Sequence, residues 1–118
     1  MNRNELVDLL KSGKKVTLNI VQAKVVFAKG DYIPVFRGGH SKMCYVNKII
    51  VDDPALGSIF FSGFSQKLRA INHGNKISLK VTVTGVGDPS QRYPNPILFA
   101  KAHTRKGDSV VIDETLGN

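Results

Sequence analysis

Cysteine, acid and long apolar runs are all scarce in this sequence. Cys44 is the single cysteine in 118 residues. A lone thiol closes no intrachain disulfide, so nothing in the chain calls for an oxidising compartment. No apolar run approaches the ~18 residues of a membrane-spanning helix. Residues 1–5 lead into a short segment interrupted by Asp8, which is not the pattern of a secretory signal. The expectation is a soluble, cytoplasmic protein with no membrane partner. Nine Asp and Glu stand against 17 Lys and Arg, a formal net charge of +8 at pH 7. That imbalance favours a polyanionic partner, nucleic acid first.

What the chain does contain is ordinary globular material. Hydrophobic residues make up 42% and charged residues 22%, which argues against disorder. At about 150 residues per domain the length allows one. We expect that domain over 1–112, with an acidic tail over 113–118. Residues 6, 7, 9 and 10 are apolar at the spacing of one helical face, which predicts a short amphipathic helix over 4–12. Asn4 is a candidate N-cap and Gly13 a stop.

From Lys15 the period changes to two. Val16, Leu18 and Ile20 alternate with Thr17 and Asn19, and after Val21 the apolar parity shifts to Ala23, Val25 and Phe27. A parity slip within one strand predicts a β-bulge, the device that curls a sheet toward closure. Residues 29–31 read as a turn, and 32–36 as a second extended piece with Pro34 marking an edge. Residues 37–42 read as a flexible basic loop, 43–51 as a strand ended by Asp52-Asp53-Pro54, and 58–62 as a short strand. Phe64, Leu68 and Ile71 fall at helical spacing, with Ser62 or Ser65 as caps and Asn72-His73-Gly74 as a stop. Ile77, Leu79, Val81 and Val83 then give the cleanest strand. A long loop over 85–96, a strand over 97–104 and a short edge strand over 110–112 complete the chain. The start of the 97–104 strand, apolar on both parities, is expected to be buried on both sides.

Without the leading helix the order is three strands, a helix and two strands, counting 32–51 as one interrupted second strand. The stretch 67–83, a helix ending in a Gly turn and leading into an alternating strand, carries the resemblance. This order resembles the oligonucleotide/oligosaccharide-binding (OB) fold over residues 15–104. The resemblance implies a mainly β protein with an OB-like five-stranded Greek-key barrel, a helix between strands three and four and an added N-terminal helix. Other small mixed α/β or β-sandwich folds accept the same string of elements.

Charge placement sharpens the partner. Residues 9–30, 32–51 and 54–87 hold Lys and Arg but no acid. Carboxylate-free basic strands suit counterion-releasing contact with a phosphate backbone. Single-strand binding also needs flat side chains on which bases stack. In an OB-like module the groove would cross strands two and three between the flanking loops. The candidate nucleic-acid-binding residues are therefore Arg37, His40, Lys42, Tyr45 and Lys48, with Lys80, the loop pair Arg92 and Tyr93, and the basic end Arg105 and Lys106. Tyr32 and Phe36 lie in the same region. The six phenylalanines are otherwise expected to be core.

Catalysis finds no support. His40, His73 and His103 lie far apart, and none stands at metal-ligand spacing with Cys44. Turn capping accounts for Asp52 and Asp53. The 37–42 segment lacks the spacing of a nucleotide-binding loop; it reads instead as a mobile hairpin that closes over a strand of nucleic acid, or as a simple surface turn. The expected role is a non-catalytic, cofactor-free binder of single-stranded DNA or RNA, DNA favoured. Such a protein would be an accessory to replication, recombination or repair in a phage or bacterium. The alternative is an interaction module that docks a protein of a replication complex, or a host protein, through the leading helix and acidic tail. The sequence is compatible with a homo-oligomer.

Overall fold

The structure, a computed structural model, describes residues 2–91 and 96–113. It is mainly β. A first helix, α1 (Arg3–Lys11), precedes β1 (Val16–Arg37), β2 (His40–Asp53), β3 (Gly57–Gly63), β4 (Lys76–Val86), β5 (Leu98–Ala102) and β6 (Val110–Asp113). The sheet order is β1-β2-β3-β5-β4-β6, and β1 pairs also with β4. Five strands thus form a ring of pairings, with β6 on the edge of β4. All pairs are antiparallel except β3 with β5.

The ring encloses the apolar core. Ile77, Leu79, Val81 and Val83 of β4 are all buried, as their alternation requires, and meet Ile20, Ala23 and Val25 of β1, Ile49 and Val51 of β2 and Phe61 of β3. Leu6 of α1 is fully buried against them, with Val7 and Leu10 packed on the edge. The cap of α1 is Asn2, whose side chain accepts from the Glu5 N–H (2.9 Å), rather than Asn4. Arg3 fixes the helix to the body by donating to the carbonyls of Leu56 and Pro96.

The expected bulge in β1 is present: the register with β4 shifts between Ile20 and Ala23, and Gln22 takes a positive φ of 50°. Its N–H donates to the Ser78 hydroxyl (2.8 Å). A second shift lies between Val25 and Phe27. Two bulges in one strand let it bend from β4 onto β2.

Three expectations are corrected. Residues 29–31 are not a turn, because β1 runs through them, with Lys29, Gly30 and Asp31 opposite Lys48, Asn47 and Val46. Residues 32–36 accordingly belong to the first strand. The glycine that reads as a turn signal is a packing glycine: a Cβ on Gly30 would lie 1.7 Å from the Tyr45 hydroxyl. The loop expected over 37–42 is narrower, because Arg37 and residues 40–42 are already paired in the hairpin. Gly38 and Gly39, both at positive φ, form a two-residue hairpin turn closed by the pair Arg37–His40.

Between β3 and β4 the expected helix over 64–71 is one 3-10 turn, Gln66–Leu68, capped by Ser65. Leu68 and Ile71 still reach the core, but Phe64 stays outside. A single turn suffices to seat two residues, so the helical spacing is met without a helix. At its far end Gly74 takes φ +85° and its N–H donates to Val25 O.

Candidate nucleic-acid interface

Pairing partners on neighbouring strands point to the same side of a sheet, so the register lays out what the ring presents to solvent. One outward rung runs Lys29, Lys48, Ser62, Lys101, Thr82 and Thr17, across β1, β2, β3, β5, β4 and back to β1. The next rung carries Phe27, Ile50, Phe60 and Phe99. Cationic side chains and rings therefore meet on one face. Lys48 and Lys101 stand two strand spacings apart, about 10 Å, with small Ser62 between them.

The rings at this face are accessible. Phe99 is 43% exposed and packs edge-on to Phe60 at 6.1 Å. It lies so close to Gly87 that a Cβ there would be 3.0 Å from the ring. Phe64, which follows β3 directly, is 51% exposed. Core assignment fails for both, and for Phe36 at 75% exposure; it holds for Phe61. The start of β5 is correspondingly buried on one side only, through Leu98.

Beyond the ring, the last part of β1 and the first part of β2 pair only with each other, forming a two-stranded arm. On its outward face Arg37, His40, Lys42, Val35 and Cys44 join Phe64 around a recess of about 430 Å³. Three of the sequence-predicted residues, Arg37, His40 and Lys42, thus come together there, and Lys48 lies on the same face. Asp31 also sits on this face, and its carboxylate stands 3.8 Å from the Lys48 ammonium. Between two half-exposed groups such a pair is weak.

Tyr45 lies on the opposite face of the arm. Its ring meets Tyr32 edge-on at 5.1 Å, and the Arg69 guanidinium sits 4.8 Å above it. Even spacing separates the members of each face, and Tyr45 and Lys48, three apart, cannot share one. Tyr32, Phe36 and Met43 extend this second face as exposed apolar side chains.

Lys80 is exposed on β4, opposite Asn19 and remote from the arm. Arg105 and Lys106 are exposed in the turn after β5. Arg92 and Tyr93 lie outside the described residues. Sequence reasoning did not place Lys101, Phe64 and Phe99 on this candidate face. The shared parity of Phe99 and Lys101 was the available signal for two of them.

Not every cation is free for a ligand. Lys67 donates to the carbonyls of Arg105 (2.9 Å) and Asp108 (2.8 Å), and Arg3 and Arg69 are engaged as described. Asp53 caps its own turn, accepting from the N–H groups of Ala55 and Leu56, as the sequence suggests. Among the described residues no three His, Cys, Asp or Glu side chains are grouped to hold a metal ion. No helix of those residues is long and apolar enough to cross a membrane. Comparison with protein-family models, with curated proteins and with solved structures finds no match.

Proposed function

We propose that the protein binds single-stranded nucleic acid, DNA in preference, along the outward face of β2, β3 and β5 and the adjoining arm. Its role is that of a non-catalytic accessory in replication, recombination or repair. The observation that carries this reading is the rung Lys29, Lys48, Ser62 and Lys101 lying beside the exposed rings of Phe99 and Phe64. Cations along a surface track a backbone, and each stacked base adds roughly 1–3 kcal/mol. We read the five-strand ring as an OB-like barrel. The bulged first strand, the ring order and the parallel closure of β3 on β5 support that reading.

Titration of labelled oligonucleotides at low salt tests it. Single-stranded DNA should bind in preference to the matched duplex and compete with the matched RNA. No binding at low salt sinks the reading, and preference for the duplex sinks its single-strand part.

A second reading, a protein-docking module, has the exposed Tyr32, Phe36 and Met43 of the arm in its favour. Its expected contact helix does not support it, since Leu6 is spent on the core. Of the tail, residues 114–118 lie outside the described residues, and Asp113 pairs in β6 opposite Lys76. Pull-down that survives nuclease treatment, without an oligonucleotide shift, would favour this reading.

A further inference from the structure

We propose that the groove between the end of β5 and the start of β1 is a second, phosphate-binding subsite, reached by the same nucleic-acid strand after it crosses β3. This rests on the nucleic-acid reading above and extends it to strands away from the arm.

The groove, of about 600 Å³, is lined by Lys15, Lys101, His103, Arg105, Thr82 and Thr84 among others. Its chemistry differs from that of the arm recess. The arm offers Phe64, Val35 and Cys44 between its cations, whereas among the described residues no aromatic ring other than the His103 imidazole lines this groove. Cations and hydroxyls without a stacking platform select phosphate rather than base.

Its walls are held in place by hydrogen bonds. The Thr82 hydroxyl lies 2.7 Å from His103 Nε2 and 2.8 Å from the Thr17 hydroxyl, which fixes the imidazole against β4 and β1. Asp108 is the acid on the rim. Its carboxylate accepts from the Arg105 N–H (2.9 Å), so it is turned onto the backbone of its own turn. Lys67 clamps that turn from the far side through the Arg105 and Asp108 carbonyls. These bonds set where Arg105 stands while leaving its exposed guanidinium to a ligand.

Continuity with the first site comes from Lys101. It lines the groove and shares the outward rung with Ser62 and Lys48. A strand leaving the arm over Ser62 meets Lys101 next, and Arg105 beyond it.

The test uses the full chain and an oligothymidylate of ~20 nucleotides, longer than the 4–16 covered by one module of this kind. Affinity is measured across a salt series for the wild type, for Lys15→Gln with Arg105→Gln, which line the groove but lie outside the rung, and for Arg37→Gln with Lys42→Gln. Each single-strand phosphate contact contributes roughly 0.7 to the slope of log K on log salt. The groove pair should therefore flatten the slope by about 1.4, as should the arm pair, with one oligonucleotide bound per protein throughout. The charge-keeping pair Lys15→Arg with Arg105→Lys should restore the slope.

A groove pair with wild-type slope, beside an arm pair that loses its share, overturns the second subsite and leaves the nucleic-acid reading standing. Two oligonucleotides per protein at saturation overturn the single shared strand. Absence of wild-type binding at low salt overturns both.

Discussion

At the scale of single residues, what decides the surface is which cations and rings the fold has already used. Arg3 and Lys67 are committed to carbonyls, and Arg69 to the Tyr45 ring. Tyr45 is in turn committed to Gly30, where the ring occupies the space of a side chain. Gly30→Ala should therefore drive Tyr45 off Tyr32 and Arg69 and cost about 1–2 kcal/mol, as overpacking does. Thermal unfolding checks this. In a Tyr45→Ala background the same change should cost clearly less, and equal costs in both backgrounds would remove the proposed contact. Leu6→Ala should lose about 2–5 kcal/mol, because the helix delivers a fully buried side chain to the core. A change under 1 kcal/mol would return α1 to the surface role.

Elements show what can be read from local pattern and what cannot. The bulge after Val21 and the alternation of β4 were legible, since period and parity depend only on which side each residue faces. Turn signals misled at Gly30, because glycine there answers to a ring ten or more residues away in sequence rather than to backbone curvature. Helical spacing misled over 64–71, where two buried residues are served by one 3-10 turn. At the arm the hairpin was legible but its loop was drawn too wide, since two glycines at positive φ are all that a two-residue hairpin turn requires. Gly39→Val should strain that turn. Amide exchange should then quicken along 31–46 while the buried strands of the ring keep their protection. Uniform quickening would mean that the arm and the ring open as one unit.

For the whole molecule, charge total and charge layout carry different information. The excess of 17 basic over nine acidic residues points to a polyanion but to no particular face. Layout emerged only once β3 and β5 were seen side by side and parallel, since that pairing brings Lys101 into line with Lys48. No local pattern in the sequence encodes which strands become neighbours across a ring. Arg37, His40 and Lys42 were legible as a cluster because they flank one turn, and the odd spacing of Tyr45 and Lys48 already sets them on opposite faces of one strand; Lys101, Phe64 and Phe99 required the topology.

The most direct test is a lysine-acetylation footprint of the full chain with and without a saturating single-stranded oligonucleotide, read by peptide mass spectrometry. Lys29, Lys42, Lys48 and Lys101 should be protected together, while Lys11 on α1 and Lys76 beside β6 react as in the free protein. Protection spread evenly over all lysines, or confined to Lys11 and Lys76, would contradict the shared outward track.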